Sequence, residues 1–180
     1  MSTTEIKFGG FGGQGVILAG IIVGRAASIY DDKFATLTQS FGPEARGSAC
    51  SAQVIVSNEK ILYPYVTRPE MLLVMSQEAC NKFLPEATDD ATIIIEEDLV
   101  KPQGLKPGMT LYGIPATRLA EELGRKMILN IVMVGFFTAV TKLVAYEAVR
   151  EAVIASVPPG TEALNSKAFE RGYQYGLDLK

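Results

Sequence analysis

"FGGFGGQGVILAG", Phe8 to Gly20, is the stretch on which the reading of this chain turns. Five glycines fall between residues 9 and 15, after a short apolar run and before a longer one. Glu5–Phe8 reads as a strand that Gly9 and Gly10 stop. Gln14–Ile29 reads as a helix apolar on nearly all sides, as one buried between layers would be. Gly10, Gly12 and Gly15 satisfy G-x-G-x-x-G between a strand and a helix, the context that a dinucleotide fingerprint needs. Glycines there permit a tight turn and a close backbone approach, and the first N–H groups of the helix face an anion. Such a site also needs an acidic residue at the end of the second strand to hold a ribose. Thr38-Gln39-Ser40 stands there instead, and Asp31 and Asp32 precede that strand. The turn has the phosphate half of the site without its ribose half. Two readings stay open: Gly10, Gly12, Gly13, Gln14 and Gly15 cradle an anionic group, or the glycines serve only the packing of helix on strand.

Working outward, Phe34–Thr38 reads as a second strand and Cys50–Ser57 as a half-buried one, with a turn at Ser57–Lys60 and Ile61–Tyr63 pairing back as a short strand. Met71–Ser76 is a continuous apolar run suited to an inner strand, Gln77–Leu84 a short helix, Thr92–Ile95 another inner strand and Thr110–Gly113 a last one. From Pro115, which suits a helix start, the chain turns helical, with Gly124 as a stop. Helices over Ile128–Leu143, Tyr146–Val157 and Thr161–Leu179 follow. Strands alternating with helices and ending in a helical tail predict an α/β fold: three layers, α/β/α, with a mixed, mostly parallel sheet, one hairpin and a helical C-terminal part. No internal repeat and no long linker divides residues 1–180, so a single domain is expected.

The second unusual stretch is the loop "QSFGPEARGSA", Gln39–Ala49, which carries Ser40, Gly42, Glu44 and Arg46. It and the glycine turn follow the ends of what read as neighbouring strands, so the two should lie close together. An arginine there can clamp a phosphate or carboxylate through two parallel N–H bonds. The alternative is a solvated turn with an incidental ion pair. Glu96-Glu97-Asp98 follows "TIII" and reads as a solvated strand end rather than a catalytic cluster.

Composition excludes more than it suggests. The chain has no histidine, so it holds no Ser-His-Asp triad, Cys-His pair or imidazole metal ligand. No catalytic residue is assigned. Cys50 and Cys80 are 30 apart without a CxxC, too few to hold an iron–sulfur cluster or zinc, so no metal ligand is assigned either. A net charge of −3 without a basic run argues against a nucleic-acid partner. Phe8–Gly24 and Met127–Thr141 are uncharged for 17 and 15 residues, short of the roughly 20 that span a membrane. With no secretory leader and two isolated cysteines, a soluble cytoplasmic protein is expected. Phe41, Tyr63 and Tyr65 fall in loop-like stretches and leave apolar patches that monomers seldom expose, so the chain is expected to be an obligate partner in a hetero-oligomer, with self-association open to it when alone.

"GFGGQGV", "SFGPEARGSA", "VIVSNEKILYPYV", "PATRLAEELG", "NIVMVG" and "LNSKAFERGY" occur in this order along essentially the whole chain. In this they resemble the gamma subunit (domain III of fused forms) of 2-oxoacid:ferredoxin oxidoreductases, and are most similar to 2-oxoglutarate-type gamma chains. Phe41 stands where many members have Tyr, and Ser48 where many have a second Gly. The resemblance implies a subunit inactive alone, in a complex that decarboxylates a 2-oxoacid on thiamine diphosphate. The complex would pass electrons through iron–sulfur clusters to ferredoxin and transfer the acyl group to coenzyme A. It implies alpha and beta partners that hold the thiamine diphosphate, clusters in beta or a small ferredoxin-like delta subunit, and a gamma chain without a redox centre on the coenzyme A side. The cofactor-binding residues would then be Gly10, Gly12, Gly13, Gln14, Gly15, Ser40, Gly42, Glu44 and Arg46. A pure scaffold role in the same complex, and a free-standing nucleotide-binding protein, are the alternatives.

Overall fold

The alternation of apolar runs and turn residues becomes an alternation of strands and helices in the computed structural model, which describes residues 3–41 and 49–179. In chain order they are β1 (Thr3–Phe11), α1 (Val16–Arg25), β2 (Phe34–Ser40), β3 (Ala49–Ser57), β4 (Met71–Val74), α2 (Gln77–Phe83), β5 (Thr92–Glu96), β6 (Thr110–Ile114), α3 (Ala116–Glu122), α4 (Leu129–Thr141), α5 (Tyr146–Ser156) and α6 (Glu162–Asp178). A π-helical turn, Ala26–Tyr30, continues α1. The six strands form one sheet in the order β2-β3-β1-β4-β5-β6. β1, β4, β5 and β6 run parallel, and β3 is antiparallel to both its neighbours.

Period-two alternation sends side chains to two separate cores. Ile6, Phe8, Leu73 and Ile94 face the larger one, which they share with α1 and α3 to α6. Leu72, Val74, Ile93 and Ile95 face the smaller one, against Ala79, Cys80 and Phe83 of α2. The result is the expected α/β architecture with helices on both faces and a mixed, mostly parallel sheet. Lys7 also points to the α2 face and is only 6% exposed. Its ammonium pairs with Glu86 and lies 4.8 Å from the centre of the Phe83 ring, which compensates its burial.

Three expectations are corrected. Gly9 and Gly10 do not stop β1, which pairs through them to Phe11, because β3 supplies partners as far as Ala49. Ile61–Tyr63 is not a strand, since β1 and β2 already occupy both edges of β3 and leave no ladder to join. The antiparallel hairpin is β2–β3 instead. For the same reason β3 is buried along nearly its whole length rather than half-buried.

The helical layer is organised by α4, in which every residue from Leu129 to Ala139 is buried. Phe137 meets Phe8 of the sheet, with ring centres 5.7 Å apart. On the other side α6 comes to backbone contact. A Cβ at Gly135 would lie 2.0 Å from the Phe169 carbonyl oxygen, and one at Gly172 would lie 1.9 Å from that of Val132. Only glycine fits at either place. Gly172→Ala is expected to push α6 off α4 and lower stability by about 1–3 kcal/mol. Thermal denaturation should show a fall of roughly 2–4 °C for each of those kcal/mol.

The glycine turn and its cleft as a candidate functional site

Gln14 closes the turn from one side. Gln14 accepts the Phe11 N–H on Oε1 at 2.7 Å and donates from Nε2 to the Met75 carbonyl at 2.8 Å. It thereby closes the turn and ties it to the end of β4, where the Met75 N–H donates back to the Gly9 carbonyl at 2.9 Å. Gly15 is the N-cap residue of α1 with φ of 73°, and Gly13 has φ of 94°. Both lie in the left-handed region that favours glycine.

The glycines do not all serve one purpose. A Cβ at Gly10 would lie 2.6 Å from Gln14 Oε1, and one at Gly15 would lie 2.3 Å from Asn130 Nδ2. These two are glycine because side chains of the fold occupy their space. Asn130, buried at the start of α4, donates from Nδ2 to the Gly15 carbonyl at 3.2 Å. A Cβ at Gly13, by contrast, would have no atom within 4 Å. Beside Gly13 opens a cleft of about 280 Å³ between the turn, the start of α4 and the α5–α6 junction, lined among others by Arg125, Met127, Asn130 and Asn165. No side chain caps α1. Arg125 is exposed at the cleft, and among the described residues it has no carboxylate within ion-pair distance. Exposed glycine backbone, an uncapped helix start and a free guanidinium favour an anionic occupant.

The sequence-predicted residues fall in two groups. Gly10, Gly12, Gly13, Gln14 and Gly15 form the turn itself. Ser40 ends β2, at the same level of the sheet as Gly9, since both pair with Ser51. β1 and β2 are not neighbours, as the expected proximity of loop and turn assumed; β3 lies between them. The described residue that ends the loop, Ala49, pairs with Phe11, and Cys50 after it pairs with Gly10. Gly42, Glu44 and Arg46 lie outside the described residues.

Arg125 and Asn130 were missed as site residues. Asn130 had a signal: an amide buried at the start of an apolar helix must find a partner. Arg125 had none, because a solvated arginine after a helix stop is ordinary.

One residue of the acidic run departs from its reading. Glu96 is fully buried rather than solvated. Its carboxylate accepts the Leu99 N–H at 2.8 Å and the Thr117 N–H in the first turn of α3 at 3.3 Å. Burial pushes its pKa up, against the opposing pull of these N–H donors. Glu97 and Asp98 are engaged by Arg118. The cluster fixes the β5–α3 junction. Among the described residues no three His, Cys, Asp or Glu side chains converge as metal ligands, and no helix is long and apolar enough to cross a membrane.

Residues 5–175 match the family model of pyruvate ferredoxin/flavodoxin oxidoreductase. The chain is 44% identical over 177 residues to the 2-oxoglutarate synthase subunit KorC of Methanocaldococcus jannaschii, covering 97% of this chain and 95% of that one. The keto/oxoacid ferredoxin oxidoreductase gamma subunit of Geobacter sulfurreducens superposes with a TM-score of 0.89 at 37% identity, over 98% of both chains. A 2-oxoglutarate:ferredoxin oxidoreductase of Magnetococcus marinus, solved with 2-oxoglutarate, coenzyme A and succinyl-CoA bound, shares the fold. Its TM-score is 0.87 at 20% identity, over 100% of this chain and 32% of the larger one. This chain belongs to the pyruvate ferredoxin/flavodoxin oxidoreductase family, as a gamma-type subunit of a 2-oxoacid oxidoreductase.

The division of labour among the glycines can be measured. Gly13→Ala should cost only its backbone strain, about 1–2 kcal/mol. Gly15→Ala should cost that and about 1–3 kcal/mol more, because Asn130 must move. Denaturant titration of both variants checks the difference, and equal losses would mean that Asn130 does not determine residue 15.

Proposed function

We propose that this chain forms part of the coenzyme A side of a 2-oxoglutarate:ferredoxin oxidoreductase, with the glycine turn and its cleft taking a phosphate of coenzyme A. The open backbone of Gly13, beside an uncapped helix start and the free Arg125, carries this reading. The KorC relative's name supports the substrate, and the coenzyme A bound in the Magnetococcus enzyme supports the ligand. Residues 1–180 act as one gamma-type domain in the cytoplasm. Alpha and beta chains hold the thiamine diphosphate, the iron–sulfur clusters sit in beta or a ferredoxin-like delta chain that completes the complex, and ferredoxin accepts the electrons. The cofactor-facing residues are the backbone of Gly10, Gly12, Gly13, Gln14 and Gly15, with Ser40, Gly42, Glu44 and Arg46 from the loop. Arg125 joins them. This chain does no bond-making of its own: its N–H groups and guanidinia hold the anion and orient the thiol-bearing end toward chemistry on other chains.

A scaffold role draws support from Gly10, Gln14 and Gly15, whose space and hydrogen bonds are taken up within the chain. Arg46→Ala and Arg125→Ala separate the two. Each variant should lose a charge-assisted hydrogen bond worth about 1.5–3 kcal/mol. In the assembled enzyme the coenzyme A requirement would rise roughly 10- to 150-fold. Single-turnover reduction by the 2-oxoacid without coenzyme A should change little. If assembly and both half-reactions fall together, the scaffold reading holds. If both variants assemble and keep the wild-type requirement, the anion does not bind here.

A further inference from the structure

Three helices begin at the cleft beside Gly13: α1 after Gly15, α4 after Ile128 and α6 after Thr161, and none of them has a side-chain cap. Their first N–H groups favour an anion at the mouth, where Gly13 and Arg125 stand. The interior has a different chemistry. Its walls include Leu18, Ile131, Val157 and Leu164, which do not suit a phosphate. Asn130 and Asn165 also line it, although only 4% and 5% of each is exposed. Each donates from Nδ2, Asn130 to the Gly15 carbonyl at 3.2 Å, and Asn165 to the Thr161 carbonyl at 2.9 Å and hydroxyl at 3.1 Å. Among the described residues no donor meets either Oδ1, and neither oxygen is sealed off within the chain. A buried amide oxygen without a donor costs stability, so the interior suits an occupant that brings N–H or O–H groups among apolar ones.

We propose that the interior of this cleft takes the uncharged arm of coenzyme A, the chain between its diphosphate and its thiol, with Asn130 and Asn165 accepting the arm's hydroxyl and amide N–H groups on Oδ1. The proposal rests on the reading that a phosphate of coenzyme A binds at the turn, and adds what the neighbouring part of the ligand touches. The arm offers geminal methyl groups to the apolar walls, donors to the two oxygens, and no charge to bury. The cleft, at about 280 Å³, is slightly smaller than the roughly 300–1,000 Å³ that encloses a drug-sized ligand, which suits a segment of coenzyme A rather than the whole. The Nδ2 bonds hold both amides in place, so little side-chain freedom is left to lose on binding. With the phosphate at the mouth, the arm is bonded directly to it.

Calorimetric titration of the assembled enzyme with two unreactive probes separates arm from phosphate: S-methylpantetheine, the arm alone, and its 4′-phosphate. Both should bind, the phosphorylated probe more tightly. Arg125→Ala should weaken only the phosphorylated probe. Asn165→Leu removes the amide without adding charge, and should raise both dissociation constants by the same factor, roughly 3- to 10-fold. Leu18→Phe narrows the cleft from α1 and should also weaken both, which keeps the test decisive if Asn165→Leu does not fold. Wild-type constants for both probes in Leu18→Phe and Asn165→Leu, beside a weakened phosphorylated probe in Arg125→Ala, would keep the phosphate at the turn and overturn the placing of the arm. A loss confined to the phosphorylated probe, or no binding of S-methylpantetheine to the wild type, would overturn it as well. Binding of neither probe would remove the phosphate reading with it.

Discussion

The backbone contact between α4 and α6 at Gly135 and Gly172 is the constraint on which the rest of the molecule depends. It fixes the depth of α4, and α4 is the wall against which the sheet, α1, α3 and α5 are arranged. A helix buried from Leu129 to Ala139 has no solvent-facing side on which an error of position could be absorbed. Asn130 stands little more than a turn before Gly135, so the same contact sets where its amide meets the Gly15 carbonyl. Displacing α6 would be felt at the glycine turn, through packing alone.

That coupling explains why one glycine-rich turn can look like two things. Gln14 and Asn130 hold it from both sides, which requires bare backbone at Gly10 and Gly15. Held in this way, the turn presents Gly13 and the start of α1 outward in a fixed geometry. A rigid backbone surface of N–H groups suits an anion better than a flexible one, since little ordering entropy remains to be lost on binding. The packing role and the proposed ligand role both draw on the same hydrogen bonds.

Much of this was legible in the residues. The continuous apolar runs at Met71 and Thr92 gave inner strands, and the apolar stretch after Met127 gave a buried helix, because burial on all sides leaves no polar period. Strand ends at Gly9 and the extra strand at Ile61 misled because both depend on pairing partners distant in sequence. Local turn chemistry does not record that β3 is flanked on both sides. The burial of Glu96 was hidden likewise: the backbone N–H groups of Leu99 and Thr117 that receive its carboxylate carry no side-chain signature. The motif order pointed to the family, while Arg125 came into view only when the fold brought the residue after the α3 stop beside the turn that precedes α1.

Hydrogen–deuterium exchange of the assembled enzyme, with and without coenzyme A, tests the ligand-facing turn most directly. Peptides spanning Gly9–Gly20 should exchange more slowly when coenzyme A is added, because the N–H groups at Gly13 and the start of α1 become donors to its phosphate. Unchanged exchange across that stretch, with protection by coenzyme A confined to the other chains, would contradict the account.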